Sequence, residues 1–276
     1  MKKLTTKNYW DVIYEQEQKS SVSVWKKIVA SIKEFFGGSL DNYSEYIIWN
    51  DIYPKFLTKN KNTKIVEIGS APGWNMVKFK QVYDYDPYGI EYSEAGAENN
   101  RRRFARADID PNHVIVKDFF AEEIVAEYGG FFDIVLSGGF IEHFDDTRSV
   151  IGRHLDLLKP HGLVIITIPN FQGINKFFAK FFDEEIQISH NFSIMNKFSF
   201  EKCFEDLGLE KVYCDYYGTF YLGLFHPLGG KGKDLIYRFL VRLQIIFNLF
   251  FHTFFKGHHV ESAYTSPYLI YIGRKK

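Results

Sequence analysis

The sequence predicts an α/β fold: a doubly wound, mostly parallel seven-stranded sheet with a helical N-terminal segment and a helical insertion before the last strand. Three observations predict it. From Lys64 onward, short runs rich in β-branched residues alternate with helical stretches, and continuous apolar strands between helices mean a parallel sheet covered on both faces. Successive strands end in a glycine turn or an acid, at the carboxyl edge where such sheets bind ligands. The last two strands have no crossover pattern tight against them, so they are expected to pair antiparallel.

The elements follow in order. Residues 1–60 read as an N-terminal helical cap, because Val22–Phe36 and Tyr43–Tyr53 each place apolar residues at helical spacing. Gly37-Gly38-Ser39 separates these two helices, and Pro54 ends or kinks the second. Lys64–Ile68 is the first strand, followed by a glycine turn and a helix over Trp74–Val82. Strand Tyr88–Glu91, helix Ala95–Ala107 and strand His113–Lys117 come next. Strand Asp133–Ser137, helix Ser149–Leu158 and strand Leu163–Ile168 continue the alternation, which Pro169-Asn170 stops. A helix over Phe200–Leu207 has Ser199 as its expected N-cap and Gly208 at its end. Strands Leu209–Tyr217 and Tyr268–Gly273 complete the sheet. The core domain therefore spans 61–221 and 265–276, with 222–264 as a helical insertion.

Composition narrows the function. The chain has 276 residues, with 34 basic and 34 acidic side chains. A balanced charge lacks the basic footprint of a nucleic-acid partner. Cys203 and Cys214 fit neither a metal-ligand spacing nor a disulfide framework. MKKLTTKNYWDVIYEQEQKS carries basic residues with no apolar run behind them, so it does not read as a secretion signal, and a cytoplasmic location is expected. The aromatic content of 18% is read as coding bias more than as an aromatic-lined pocket, since Lys, Asn and Ile are plentiful as well.

Chemistry-bearing residues fall at four successive strand ends. The first is KIVEIGSAPGW, in which Gly69 permits a tight strand-to-helix turn and Gly73 lets the next helix approach a ligand closely. Its backbone donors suit a phosphate or an amino-acid carboxylate. The second is Glu91, 18 residues after Gly73 and 22 after Gly69, a spacing that suits a carboxylate accepting from both ribose hydroxyls. The third is Asp118, placed to accept from an adenine amino group. The fourth is Ser137-Gly138-Gly139-Phe140-Ile141-Glu142-His143-Phe144. Glu91 or Asp118 alone would read as a helix N-cap.

Together these residues resemble the class I S-adenosylmethionine-dependent methyltransferases over about residues 45–220. The specific parts are E-x-G-x-A-x-G, GIEYS, KDFF, FDIVLSGGFIEHF and KPHGLVIITIPN. The resemblance implies a Rossmann-like fold and S-adenosylmethionine as cofactor. It implies that the turn Gly69, Ser70, Ala71, Gly73 and Trp74 faces the methionine part, with Glu67 anchoring the amino group. Glu91 would then hold the ribose with Tyr92 beside the adenine. Asp118 and Phe119 would read the adenine edge, and Ser137 and Gly138 would line the sulfonium side. Ala71 replaces the family's middle glycine, which an ordinary φ tolerates. Pro72 is similar to the A-P-G-G-W turn of ribosomal-RNA ribose methyltransferases, but Gly138 stands where that group has an Asp. A dehydrogenase reading fails too, because Tyr271 and Lys275 sit in one strand about 13 Å apart.

Methyl transfer needs alignment, exclusion of water and, for a hydroxyl acceptor, a base. His143 is the first candidate, Glu142 is its neighbour, and His190 is a second imidazole in a loop that commonly reaches the acceptor. No metal is expected, because Gly139 replaces the first acid of the Glu-x-x-Glu-His found in quinone-type relatives. The acceptor is expected to be a small molecule, sugar or lipid-linked compound, methylated at oxygen. A methyltransferase-fold protein that binds cofactor or partner without turnover is the alternative. Residues 231–256 form an amphipathic helix. It places Ile236, Phe239, Leu240, Leu243, Phe247, Phe250 and Phe254 on one face and Arg238, Arg242, Asn248 and His252 on the other. It can cap the site, form a homodimer, or make peripheral membrane contact.

Overall fold

The computed structural model describes residues 2–6, 11, 42–183, 185–225, 230–255 and 261–276. The expected helix Val22–Phe36 and the glycine break after it lie outside the described residues. Seven strands form one sheet: β1 (Lys64–Ile68), β2 (Asp86–Glu91), β3 (Val114–Val116), β4 (Phe132–Gly138), β5 (Leu158–Pro169), β6 (Leu209–Tyr217) and β7 (Tyr268–Lys275). Their order is β3-β2-β1-β4-β5-β7-β6. The first five are parallel and β7 runs antiparallel to both its neighbours. The strand order reverses between β1 and β4, so their carboxyl ends open a crevice there.

Among the described residues the α-helices are α1 (Tyr43–Ile47), α2 (Tyr53–Phe56), α3 (Trp74–Tyr83), α4 (Glu94–Arg106), α5 (Glu122–Tyr128), α6 (Thr147–Leu157), α7 (Gly173–Phe182), α8 (Ile186–Ser189), α9 (Lys197–Lys202) and α10 (Lys231–Phe254). A π-turn at Ile48–Ile52 joins α1 to α2. Pro54 does not end the run, which continues to Phe56; it follows directly on the π-turn, in the first turn of α2. Residues 2–6 are not helical: Lys3 bridges antiparallel to Phe144, and the Leu4 N–H donates to the His143 carbonyl at 2.8 Å.

Alternate residues of each strand feed two cores, as a period of two requires. Val66, Ile68, Val135, Val164 and Ile166 pack on one face; Ile65, Ile134, Leu136 and Ile165 pack on the other. Several boundaries differ from expectation, and α9 ends at Lys202 where Leu207 was expected. The α9 helix starts at Lys197 because Asn196 caps it, its Oδ1 accepting from the Ser199 N–H at 2.9 Å. Strand β5 begins at Leu158, which pairs with Phe132 before an irregularity absorbs Lys159–Gly162. On the α10 helix the polar side of the wheel is divided, with Asn248 buried and Arg238 and Arg242 exposed. Gln244 and Asn248 are buried against the domain while Phe239, Phe247 and Phe250 face out.

His154 on α6 lies in the core beside Phe119 and Phe140, fully buried, with burial pushing its pKa down to about 4. Its folded pKa is below the unfolded value, so the stability it supports is present above pH 6.5 and lost as pH falls through the folded pKa. Between pH 6.5 and 4 that group alone removes about 3 kcal/mol. His154→Leu is expected to flatten the acid limb of a stability-versus-pH curve by that amount. Parallel acid limbs in denaturant titrations would exclude the assignment.

Candidate active site

The turn after β1 is built by glycine geometry. Gly69 has φ 71° and Gly73 has φ 91°, conformations an L side chain rarely adopts. A Cβ on Gly73 would stand 2.3 Å from Asn100 Oδ1, and one on Gly69 would stand 3.1 Å from the Phe140 ring. Gly69 and Ser70 donate to the Ile90 carbonyl at 2.9 and 3.3 Å, which ties the turn to the end of β2. Ala71 does not take a positive φ, so the family's middle glycine is not required here.

Glu91 ends β2 and is 3% exposed. Its Oε1 accepts from the Ser93 N–H at 2.8 Å and its Oε2 from the Ala71 N–H at 3.3 Å. Burial raises its pKa, while these N–H groups pull it back down. Glu91 is not the cap of α4; Ser93 is, accepting from Gly96 N–H. Asp118 is not a helix cap either. Its Oδ1 accepts from the Phe120 N–H at 3.1 Å and its Oδ2 from Lys3 Nζ at 2.6 Å. The two acids share one cleft with Gly69, Ala71, Tyr92, Phe119 and Gly138.

The remaining turn residues stand elsewhere. Glu67 is buried behind Asn75, whose Nδ2 donates to it at 2.6 Å, and burial pushes its carboxyl up to about 8 against that bond. Ser70 is buried and accepts from Asn100 Nδ2 at 2.7 Å. Trp74 is 63% exposed and stacks under the Arg103 guanidinium at 4.0 Å, outside the cleft. Ser137 is buried, and its Oγ has no hydrogen-bond partner among the described residues.

A second cavity opens on the other side of Gly138, Gly139 and His143, the three residues that line both. Its walls include Trp49, Tyr53, Asn75, Thr167, Tyr217 and Tyr268, with Glu142 and His190 beside His143. The three expected catalytic residues thus meet. His143 Nδ1 lies 2.8 Å from the Ser189 carbonyl oxygen. A carbonyl only accepts, so Nδ1 carries the proton and Nε2 keeps its lone pair. That Nε2 faces Glu142 Oε1 at 4.0 Å. Burial lowers the His143 pKa and raises that of Glu142 to about 8, which leaves a neutral imidazole beside a protonated carboxyl at neutral pH. Burial and the nearby His143 push His190 down to about 3. Glu142 Oε2 has no hydrogen-bond partner among the described residues. Ligand atoms of Glu142, His143 and His190 all lie within 4.8 Å of one another, close enough to hold a divalent cation.

Sequence reasoning missed most of the second cavity and the N-terminal side of the first. Lys3 and Thr5 line the first cleft, from a segment with no local motif. Tyr217 and Tyr268 are paired in register across β6 and β7, their rings stacked at 5.3 Å. Pairing the two predicted strands antiparallel could have found them.

The family profile described as "Methyltransferase domain" matches residues 43–213. Among curated proteins no sequence match was found. Geranyl diphosphate C-methyltransferase from Streptomyces coelicolor A3(2), solved with Mg2+, geranyl diphosphate and S-adenosyl-L-homocysteine, is similar in structure. Its TM-score is 0.56 at 13% identity, over 94% of this chain and 86% of that one. The MccD protein is similar at a TM-score of 0.57 and 16% identity, over 84% and 97%. A [4+2]-cyclase, SpnF, is similar at 0.53 and 11%, over 84% and 79%. At such identities these structures speak to fold alone.

Proposed function

The chain belongs to the methyltransferase-domain family, and from that premise we propose that it moves a methyl group from S-adenosylmethionine to an oxygen of a small-molecule, sugar or lipid-linked acceptor. One observation carries the reading: two cavities, one lined by Glu91 and Asp118 and the other by tyrosines and histidines, meet at Gly138, Gly139 and His143. The first cavity fits the cofactor in its chemistry. It offers a buried carboxylate for a ribose diol, a second acid for an adenine amino group, apolar walls at Ile90 and Phe119, and a glycine turn with no room for side chains. S-adenosylmethionine supplies, when bound, a methyl group on a sulfonium that leaves readily.

The chain's own residues then have little covalent work. Gly138 and Gly139 leave the passage between the cavities clear of side chains, and a Cβ on Gly138 would come within 3.2 Å of Thr167 Oγ1. His143, neutral and with Nε2 as acceptor, takes the proton of an acceptor hydroxyl. Buried aromatic walls keep bulk water from the reacting atoms. A base at the junction serves an oxygen acceptor, whose hydroxyl proton must leave as the methyl arrives. Two free cysteines, Cys203 and Cys214, support a cytoplasmic setting.

The test is calorimetric titration with S-adenosylmethionine, followed by a labelled methyl-transfer screen over glycolipid, quinone and sugar acceptors. Saturable binding and label in one acceptor class are expected. Absence of binding would overturn the reading, and binding without transfer to any acceptor would return the non-catalytic alternative.

A further inference from the structure

Helix α10 turns two polar residues toward the domain beside Leu240 and Val241: Gln244 Oε1 accepts from the Leu222 N–H at 2.6 Å, and Gln244 and Asn248 are 4% and 1% exposed. Tyr237 donates to the Leu222 carbonyl at 3.1 Å and packs on Phe182 of α7, while Phe251 packs on Tyr43 of α1. The helix is therefore fastened to the domain from one end to the other. Its outward side is apolar: Leu235, Phe239, Ile246, Phe247, Phe250 and Phe254 are each 48% to 71% exposed. Neighbouring α7 adds Phe177, 63% exposed, and Ile174, 43% exposed. Isolated exposed apolar residues are ordinary, but a continuous face of this extent marks an interaction site.

Charge identifies the occupant. Helices α7 and α10 together carry six lysines and arginines against one acid, Asp234, in a chain whose 34 basic and 34 acidic residues balance overall. Asp234 is already ion-paired to Arg238. A second copy docked face to face would bring two basic rims together with no acids to meet them. Anionic phospholipid headgroups meet both requirements, taking the aromatic face into the acyl boundary and the basic rim into the headgroups. By length and composition Gly232–Phe254 could also cross a bilayer. Contacts to the domain at Tyr237, Gln244 and Phe251, along the whole helix, place it flat in the interface instead, since a spanning helix would leave Gln244 and Asn248 without their partners.

We propose that the outward face of α10, with α7 beside it, docks this protein on anionic bilayers. The proposal deepens the methyltransferase reading. Helix α10 leans on α1 through Phe251–Tyr43 and His252–Tyr46 contacts, and α1 supplies Ser44 and Glu45 to the acceptor cavity wall. Leu224, at the chain's approach to α10, lines the same cavity. Docking thus brings the acceptor cavity beside the bilayer surface, where an amphiphilic acceptor is reached.

Flotation of the full chain with vesicles tests it, and needs no methyl transfer. Wild type is expected to float with mixed phosphatidylglycerol–phosphatidylcholine vesicles about tenfold better than with phosphatidylcholine alone. Phe239→Ser/Phe247→Ser/Phe250→Ser should abolish flotation. Lys180→Glu/Arg242→Glu should remove the preference for the anionic lipid, so a fold defect in the triple variant leaves a second arm. S-adenosylmethionine affinity, measured on the same preparations, should be unchanged in both. Failure of wild type to float, or equal flotation of both variants and wild type, overturns the docking surface whatever the catalytic assay shows. So does a lipid-free wild-type dimer that the triple variant dissociates, since a second copy then covers the face.

Discussion

Replacing Glu91 by alanine is expected to weaken S-adenosylmethionine binding by roughly a hundredfold to a thousandfold. The carboxylate stands buried at the end of β2, with both oxygens anchored by N–H groups of Ser93 and Ala71. Those donors fix the rotamer, so the remaining lone pairs are already aimed before a ribose arrives, and little ordering entropy is spent on binding. A charge-assisted hydrogen bond contributes about 1.5–3 kcal/mol, and two to the ribose diol give a loss of two or more decades. The alanine also leaves the Ala71 and Ser93 N–H groups without their acceptor, so part of the loss is a loosened turn. Glu91→Gln separates the two effects. It keeps an oxygen for one N–H and the side-chain volume, and is expected to lose only about tenfold. Calorimetry on both variants, with thermal melts alongside, reads the difference. Affinities within twofold of wild type would remove Glu91 from the site.

Why this half of the site was legible and the other half was not has a physical basis. In a doubly wound sheet each strand end and the turn after it are local in sequence, and the switch point gathers those ends in one crevice. Gly69, Glu91, Asp118 and Gly138 could therefore be read one strand at a time, and they share one cleft. The second cavity has no such locality. Trp49 and Tyr53 come from a helical run that looked like a cap, Asn75 from the first turn of α3, and Tyr217 and Tyr268 from strands separated by the insertion. Each residue has an ordinary core explanation, and only the register of β6 on β7 brings the two tyrosines together. Helix α5 escaped for a different reason: it is seven residues long and Ala121 offers no side-chain cap. The wheel drawn for α10 found the amphipathic pattern but left open which side meets the domain. Backbone groups at Leu222 help decide it by giving Tyr237 and Gln244 their partners.

His143→Gln is expected to lower the methyl-transfer rate constant by about a hundredfold to ten-thousandfold while leaving S-adenosylmethionine affinity unchanged. The imidazole lines both cavities, and the Ser189 carbonyl fixes the proton on Nδ1, so the nitrogen that can accept faces inward. Glutamine keeps polar bulk but has no basic nitrogen, so the loss falls on the chemical step and not on cofactor binding. The pH dependence has a definite sign. Burial lowers the His143 pKa, and the neutral form is the active one. The wild-type rate should therefore hold as pH falls through 6.5, the ordinary histidine value, and decline only as pH passes the depressed pKa. Glu142→Gln is expected to cost far less, since a carboxyl raised to about 8 is protonated at neutral pH and is not the base. A chelator arm separates the one rival use of this cluster. If Glu142, His143 and His190 work by holding a cation that activates the acceptor, EDTA should stop transfer and Glu142→Gln should be as damaging as His143→Gln. Transfer that survives EDTA, with the loss concentrated in His143→Gln, identifies the imidazole as the group that takes the proton.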